Sequence, residues 1–290
     1  MKTIIRKFRQ WFMNTMPGLY VRLSKLVCRH VLFQRERRYL NGELEPRTGE
    51  PSVIFFGGHR AASMFLGKVF SQLAADAELR RVDLESYFLH TDRSKVDQLF
   101  TAGECEPLFR KEGYFFGPLR RPVLLEDLDS YRVILVLRDL RDVLTSGYYS
   151  IVYAHTVIDE LHLEARERAA AQGVDEYVRE NLPAWKARYL EVLDWADTSG
   201  IRVERYEDMV EDFGGWLRRV TPPLGLDGNQ RLIEEIISQA DFDVVKEDKT
   251  AHKRSVKAGS HARKLQPETR EFLDRELAEV LERMGYQKGS

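Results

Sequence analysis

The sequence predicts an α/β fold of three layers, in which helices cover both faces of a central parallel sheet. Two short apolar runs, 52–56 and 132–137, have the composition of buried strands, and each passes into a segment whose apolar residues recur at helical spacing. Further strands are predicted at 122–125 and 201–204, and further helices at 160–171, 174–197, 230–239 and 267–284. This alternation of short strands and helices is typical of a covered parallel sheet.

The chain begins with a basic segment. Residues 1–41 contain ten Lys or Arg against Glu36 alone, a net charge of +9, and since the whole chain carries -1 the remainder carries -10. Apolar residues recur among the cations at helical spacing, which predicts an amphipathic arm that can lie on an anionic membrane surface. The alternative is that these helices pack on the domain and keep their cations in water.

A polar stretch with two glycines and two prolines, 42–51, follows the arm and is the best candidate for a linker. The predicted organisation is therefore a basic helical arm (1–41), a linker (42–51) and one α/β domain (52–290). Cys28 and Cys105 are the only cysteines, too few for a disulfide framework, and no apolar run reaches the length of about 18 residues that spans a bilayer. We expect a cytoplasmic protein that associates peripherally with a membrane.

The first strand-to-helix loop, 57–63, has the features of an anion site. Ligands of open α/β sheets collect at the carboxyl ends of the strands, where small residues let several backbone N–H groups point at one anion. Arg60 would add a fixed positive charge. A tight turn without a ligand explains the same pattern, so both interpretations stay open.

The same loop departs from the pattern GxxxxGK(S/T) of magnesium-dependent nucleoside triphosphatases. Ala62 stands where the first glycine should be, and Gly67-Lys68 is followed by Val69, which lacks the hydroxyl that would hold magnesium. The sequence therefore argues against a conventional kinase or ATPase.

A second anion site is predicted where the strand 132–137 ends. Arg138 leaves the strand and Ser146 follows about two helical turns later, so a guanidinium and a hydroxyl can converge on one phosphate. Arg138 and Asp142 could instead form a local ion pair. Two anion sites at strand ends suggest a nucleotide with two separate phosphates.

Four elements together resemble the family of sulfotransferases that use 3′-phosphoadenosine 5′-phosphosulfate (PAPS). The loop 58–66 is similar to the family's 5′-phosphosulfate loop, and 133–146 closely resembles its 3′-phosphate element. The run 206–209, Tyr-Glu-Asp-Met, resembles the family's YED turn, and 254–268 resembles the segment that closes over the 3′-phosphate. The four elements occur in the family's order and span almost the whole chain outside the basic arm.

The resemblance implies a P-loop-like nucleotide site that binds PAPS, releases 3′-phosphoadenosine 5′-phosphate (PAP) and requires no metal. It assigns to the donor loop Gly58, His59, Arg60, Ala61, Ala62, Ser63, Met64 and Phe65. Within that loop Arg60 would stabilise charge on the leaving oxygen, which makes it a catalytic candidate. Departures from the family's usual loop are Ala62, where glycine is common, and Met64, where a hydroxyl is common.

The resemblance assigns the 3′-phosphate to a second group of residues. Arg138 and Ser146 would hold this phosphate, Arg254 and the backbone near Gly259 would complete the site, and Tyr206 would approach the adenine end of the nucleotide. Lys257 is a further candidate, with a solvated lysine as the alternative. The tryptophan usual in the closing segment is absent, and His261 lies near its place.

A general base must remove the acceptor's proton within hydrogen-bond reach. In several branches of the family that the chain resembles, this base is a His or a Glu after the second strand. Glu85 and His90 occupy that region here and are the two candidates. The alternative is a base elsewhere in the chain, with His59 more suited to shaping the donor loop.

The acceptor is the least defined part of the prediction. Loops 91–118 and 152–174 are the predicted acceptor walls, and their aromatic residues either line an apolar or sugar-binding surface or belong to the core. These residues are Tyr114, Phe115, Phe116 and Tyr153. The predicted partners are a small-molecule, lipid or glycan acceptor and an anionic membrane surface, without nucleic acid, and with a homodimer as one assembly to test.

Two other functions compete with sulfuryl transfer. One is a phosphotransferase of the related P-loop architecture, which would need magnesium and prefer ATP. The other is a membrane-peripheral protein that binds the nucleotide but transfers poorly, to which the departures at Ala62 and Met64 give some weight.

Overall fold

The computed structural model of the chain describes residues 16, 23, 26–154, 160–240 and 258–286. Its strands are β1 (Val53–Gly57), β2 (Arg80–Val82), β3 (Tyr114–Leu119), β4 (Arg132–Leu137) and β5 (Val203–Arg205). Its α-helices in the described ranges are α1 (Gln34–Leu40), α2 (Ser63–Asp76), α3 (Leu84–Thr91), α4 (Leu140–Tyr149), α5 (Glu160–Gln172), α6 (Val174–Thr198), α7 (Tyr206–Glu211), α8 (Phe213–Val220), α9 (Gln230–Gln239), α10 (Ser260–Lys264), α11 (Pro267–Glu276) and α12 (Ala278–Arg283).

The five strands form one sheet in the order β2-β3-β1-β4-β5. The pairs β2–β3, β1–β4 and β4–β5 are parallel. This arrangement confirms the predicted α/β class with a central parallel sheet, and the two strongest strand predictions, 52–56 and 132–137, match β1 and β4 within one residue at each end.

The chain divides into two compact units. Unit 1 comprises Met1–Ser52, Glu78–Gly117 and Val123–Tyr131, and unit 2 comprises Val53–Ala77, Pro118–Pro122 and Arg132–Ser290. The predicted division into arm, linker and domain follows other boundaries and stays a prediction.

The core of unit 2 shows why helices lie on both faces of its strands. Successive side chains of a strand point to opposite faces of the sheet. The Phe55 ring packs against Phe70 of α2 at a centroid distance of 5.1 Å, whereas the neighbouring Phe56 ring packs against Trp195 of α6 at 4.9 Å. Both strand residues are almost inaccessible to water. β1 is therefore buried between two helical layers, as its continuous apolar sequence indicates.

The core of unit 1 is built around Tyr39 of α1. Its ring packs against Tyr114 and Phe116 of β3 at centroid distances of 4.9 and 5.7 Å. Its hydroxyl donates to the carbonyl of Leu108 at 3.0 Å and accepts from the amide of Arg110 at 3.1 Å. The last helix before residue 42 thus packs into unit 1 through its one tyrosine. Residues 1–15 lie outside the described residues.

Several helices begin at a side chain that caps their first backbone amides. Asp139 accepts from the amide of Arg141 at the start of α4, Asp83 accepts from Ser86 at the start of α3, and Asn229 accepts from Leu232 at the start of α9. Such caps satisfy N–H groups that have no partner within the helix. Local sequence therefore fixes where these three helices start.

The structure corrects one predicted strand. Residues 122–125 have no regular structure, and the strand of this region is instead β3, which contains Gly117 and Pro118. Glycine and proline usually mark turns, so the sequence pattern predicts a loop where the strand lies. Tyr114, Phe115 and Phe116 are consequently at most 1 % exposed, so they belong to the core and do not line an acceptor loop. Tyr153 is exposed.

The other predicted elements need smaller corrections than this strand. The predicted strand 201–204 is β5, and α6 continues through Pro183. The predicted helix 267–284 is divided at Leu277 into α11 and α12. No helix in the described ranges combines the length and the apolar character needed to cross a membrane.

Candidate active site

The two predicted anion sites start from neighbouring strands of unit 2. β1 and β4 pair in parallel, with Gly57 opposite Val136, so their carboxyl ends lie at the same edge of the sheet. The amide of Gly58 donates to the carbonyl of Val136 at 2.9 Å. The loop after β1 and the residues after β4 are therefore held side by side, at the edge where α/β proteins bind ligands.

Gly57 and Gly58 occupy positions where no side chain fits. A Cβ atom on Gly57 would lie 2.5 Å from the Cβ of Ser63, and one on Gly58 would lie 2.9 Å from Cδ2 of Leu137. Both distances are shorter than carbon atoms tolerate. The two glycines thus allow the loop to lie directly against the end of β4.

Arg60 and Ala62 give the loop its curvature. Their φ angles are +63° and +53°, in the left-handed region, whereas Ala61 between them is not in that region. A left-handed conformation costs a residue with a side chain about 1–2 kcal/mol. Left-handed residues interleaved with others turn successive N–H groups towards one side and form a concavity that binds anions. The backbone strain is located where the sequence predicts the 5′-phosphosulfate loop.

The remaining loop residues divide into a buried and an exposed group. Ala61 and Ser63 are buried, whereas Met64 is 73 % exposed. The Phe65 ring packs on Phe213 of α8 at 5.5 Å. Met64 is thus directed towards solvent at the first turn of α2, and Phe65 fixes that helix to its neighbour.

Arg120, the residue after β3, reaches into the donor loop. Its Nη1 donates to the hydroxyl of Ser63 and to the carbonyl of Gly57, the latter at 3.3 Å. Sequence reasoning missed this residue because it missed the strand that precedes it. With Arg60 it brings a second guanidinium to the loop.

His59 is surrounded by positive charge. Its ring packs edge-on against Trp185 of α6 at a centroid distance of 5.1 Å, although the residue as a whole is exposed. Partial burial of the ring, together with the charges of Arg120, Arg60 and Arg188, lowers the pKa of His59 to about 4. His59 is therefore neutral at physiological pH and leaves the charge of the loop to the arginines.

Arg138 connects the donor loop to two other elements. It is 6 % exposed; Nη1 donates to the carbonyl of Arg60 at 3.1 Å and Nη2 to Oδ2 of Asp142 at 3.0 Å. Its guanidinium stacks on the ring of Tyr206, with Cζ 4.5 Å from the centroid. The ion pair between Arg138 and Asp142, which the sequence offered as an alternative to phosphate binding, is present. Arg138, the predicted phosphate ligand, is therefore one of its two partners.

Asp142 is fully buried and accepts hydrogen bonds from three further residues. The amide of Gly259 donates at 3.0 Å, the hydroxyl of Ser260 at 2.9 Å, and His261 through its amide and Nδ1 at 2.9 and 2.8 Å. Burial would raise the pKa of Asp142, but the hydrogen bonds from His261 and the charge of Arg138 hold it well below its ordinary value. Asp142 thus holds residues 259–261, which lie within the predicted closing segment 254–268.

The other predicted 3′-phosphate residues take these positions. Ser146 is half-buried on α4, one turn after Asp142. Gly259 has a φ of +73°, which favours glycine, and its amide is used by Asp142. Tyr206 starts α7 and is buried. Arg254 and Lys257 lie outside the described residues.

The YED turn is also anchored to the end of β4. Oε1 of Glu207 accepts from the amide of Asp139 at 3.2 Å, and Oε2 accepts from the hydroxyl of Tyr286. Burial raises the pKa of Glu207 despite the hydrogen bond from Tyr286. The sequence predicted the turn but not that its glutamate would bind the backbone of Asp139, between β4 and α4.

Glu85 and His90, the two candidates for the base, lie on α3 in unit 1. Glu85 is buried, at 8 % exposure, in the first turn of the helix. His90 is exposed, with Nδ1 2.7 Å from the carbonyl of Ser86 and its ring 5.6 Å from Phe33. Their role stays a prediction. Among the described residues no group of three or more His, Cys, Asp or Glu side chains could hold a metal ion.

Fold and site define an α/β protein with a strained, glycine-containing loop and a buried arginine at one edge of a parallel sheet. A family model described as "Sulfotransferase domain" matches residues 122–285, more than half of the chain. The chain therefore belongs to the sulfotransferase family. Comparison with curated protein sequences gave no match.

Two solved structures are similar to the chain at 14 % sequence identity. A mouse sulfotransferase, SULT7A1, complexed with PAP has a TM-score of 0.54, covering 86 % of this chain and 91 % of that one. Retinol dehydratase in a complex with retinol and PAP has a TM-score of 0.53, covering 87 % of this chain and 86 % of that one. At this identity the likeness supports the fold.

The left-handed conformation of Ala62 leads to a stability prediction. Ala62→Gly removes the Cβ that strains this conformation, so we expect the free energy of unfolding to rise by about 1 kcal/mol. Ala187→Gly, at an exposed position within α6, is the matched control and should lower it by about 1 kcal/mol. Chemical denaturation measures both, and a loss of stability in Ala62→Gly would contradict the strained loop.

The lowered pKa of His59 leads to a prediction about pH. Because this pKa lies below that of an unfolded histidine, the unfolded chain binds a proton first as the pH falls from about 6.5 towards 4. We therefore expect the stability of the fold to decline across that window, and to decline less in His59→Gln. Chemical denaturation at several pH values tests this, and an equal decline in the two proteins would exclude the assignment.

Proposed function

We propose that this sulfotransferase transfers the sulfuryl group of PAPS to a hydroxyl or amine of an acceptor and releases PAP. In an in-line displacement the acceptor's oxygen or nitrogen bonds to sulfur, while the bond between sulfur and the phosphate oxygen breaks. The acceptor's proton passes to a general base. The observation that carries the proposal is the pair of adjacent, arginine-bearing segments at the ends of β1 and β4, in a chain of this family.

The loop after β1 would bind the 5′-phosphosulfate. The left-handed residues Arg60 and Ala62, the start of α2 and the guanidinium of Arg120 all favour negative charge at this place. Negative charge grows on the phosphate oxygen as the sulfuryl group departs. Fixed positive groups that need no rearrangement lower the barrier to such a step. Arg60 and Arg120 are the proposed sources of that charge.

The residues after β4 would bind the 3′-phosphate. Nε of Arg138 is buried and has no hydrogen-bond partner among the described residues. A buried donor without a partner is costly, and a phosphate oxygen would satisfy it. The half-buried hydroxyl of Ser146 is the proposed second ligand, and the ring of Tyr206 under Arg138 would approach the adenine. Arg254 and Lys257 are further proposed ligands of the 3′-phosphate, and their assignment comes from the sequence alone.

ATP-dependent phosphoryl transfer is the weaker alternative. Val69, which stands where a magnesium-binding hydroxyl would be required, is 3 % exposed within α2. An apolar side chain in the core cannot hold a hydrated cation. The buried Val69 therefore disfavours a magnesium-dependent phosphotransferase, whereas the proposed lack of a metal requirement comes from the resemblance to sulfotransferases.

The proposed base is Glu85 or His90, and the proposed acceptor is a lipid or glycan presented at a membrane surface. The hydrogen bond at Nδ1 of His90 favours the tautomer in which Nε2 carries a lone pair that can accept a proton. Glu85 is a carboxylate at a position with little access to water. The basic segment 1–41 supports peripheral contact with an anionic membrane on the cytoplasmic side. A homodimer stays a prediction.

Calorimetric titration with PAP in a chelator tests the donor site. We expect the unchanged protein to bind PAP tightly without metal. Binding should be about 100-fold weaker in Arg138→Ala, because this change removes a charged ligand. It should be about 3- to 10-fold weaker in Ser146→Ala, which removes a single hydroxyl. Arg231→Ala, at an exposed position of α9, should bind as the unchanged protein does. Failure of PAP to bind, or a preference for ATP with magnesium, would refute the donor assignment.

Kinetics with an identified acceptor test the base. Of Glu85→Gln and His90→Gln, the variant that lacks the base should lose about 10²- to 10⁴-fold in kcat and keep its affinity for PAP. The other should change kcat by less than about tenfold, which provides the internal control. A small effect in both variants would show that the base lies elsewhere.

A further inference from the structure

A second positively charged site lies in unit 1, formed by residues other than those of the donor site. A cleft of about 470 Å³ opens between α1 and β2. Four arginines line it, and we call it the arginine cleft. They are Arg35 and Arg38 of α1 and Arg80 and Arg81 of β2.

Two carboxylates also line the arginine cleft, but both are engaged by the protein. Asp83 accepts from the amide of Ser86 at 3.0 Å and pairs with Arg81 at 3.2 Å. Glu36 is buried and accepts from the amide of Asp83 at 3.1 Å, and burial raises its pKa. The wall of the cleft therefore keeps a net positive charge.

Arg35, Arg38 and Arg80 have no ion pair among the described residues, whereas Arg81 pairs with Asp83. Arg38 donates to the carbonyl of Glu43 at 3.3 Å, and Arg80 donates to the carbonyl of Glu45 at 2.9 Å. These bonds orient the guanidinium groups without neutralising them. Arg35 is exposed, and Nε of Arg81 is buried without a hydrogen-bond partner in the described part of the chain. The guanidinium groups of Arg38 and Arg80, oriented by backbone carbonyls and not paired with a carboxylate among the described residues, suit a phosphate group.

An exposed apolar stripe leads directly into the arginine cleft. It consists of Leu23, Leu26, Val27, Val31 and Leu32, which are 43 to 67 % exposed. Leu26 and Val27 directly precede a π-helix, Cys28–Leu32, which contains Val31 and Leu32. Leu32, the most exposed of the five, also lines the cleft. Apolar side chains beside arginines are typical of segments that lie in the headgroup region of a bilayer.

We propose that the arginine cleft binds the phosphate of an anionic phospholipid headgroup while the apolar stripe enters the adjoining acyl region. The charge of the cleft complements the headgroup, and the exposed stripe complements the apolar layer beneath it. A soluble phosphate compound would satisfy the arginines but would leave the stripe in water. The membrane site is thus distinct from the donor site and does not depend on the proposed reaction.

Binding of the full chain to lipid vesicles tests the proposal. The vesicles contain phosphatidylcholine with or without phosphatidylserine, and the affinity is measured for Arg35→Gln/Arg38→Gln and for Arg47→Gln/Arg93→Gln. The second pair removes the same charge at exposed positions outside the cleft. We expect the cleft variant to lose about 25-fold in affinity for the anionic vesicles, about fivefold for each arginine, and the control about twofold.

The apolar stripe is tested separately with Val31→Ser/Leu32→Ser. This variant should bind anionic vesicles more weakly but retain the affinity for soluble glycerophosphoserine. Equal losses in the cleft variant and its control would overturn the proposal, because general charge attraction would then suffice. Unchanged vesicle binding in the stripe variant would also overturn it in favour of a soluble anion. PAP titrations of the same variants should be unaltered, which separates this outcome from failure of the donor site.

Discussion

Arg138 and Asp142 form an ion pair from which water is almost wholly excluded, and the proposed donor site of unit 2 is organised around it. The other N–H groups of Arg138 hold the carbonyl of Arg60 and lie over Tyr206, while the oxygens of Asp142 hold residues 259–261. Three segments far apart in sequence thereby meet at the end of β4. Removal of one partner would leave a buried charge, a loss of about 3–5 kcal/mol.

This arrangement also has a consequence for ligand binding. Asp142 distributes its charge over several donors, so Arg138 is oriented but not saturated, and its buried Nε has no partner among the described residues. A preoriented guanidinium loses little entropy when an anion arrives. The same logic applies to the loop after β1, where the strain at Arg60 and Ala62 is present before any ligand binds. The strained loop lowers the stability of the fold, but the site then needs little rearrangement when a ligand binds.

The two positively charged sites differ in the way their arginines are held. In the donor site Arg138 is buried and paired with a carboxylate, so its position is fixed by the core of unit 2. In the arginine cleft Arg38 and Arg80 are held by backbone carbonyls near the surface of unit 1. The first arrangement suits a small ligand in one orientation. The second suits a headgroup in a fluid layer, for which precise orientation matters less.

The sequence by itself determined the α/β class, the strands β1 and β4, and the two loops that follow them. These features depend on local chemistry, since continuous apolar runs mark buried parallel strands and glycines mark the turn after β1. The resemblance to sulfotransferases identified the family from the same residues. The prediction failed at β3, where Gly117 and Pro118 conceal a strand that is buried in the sheet.

Only the tertiary structure decided which residues meet. It brought Arg120 into the donor loop and made Asp142 the acceptor for residues 259–261, more than 110 positions further along the chain. It also joined α1 and β2 into the arginine cleft. Such contacts depend on strand order and on which helix faces pack together, and neither is encoded in a local pattern. The positions of the strand ends were therefore predictable, whereas the partners of the charged groups were not.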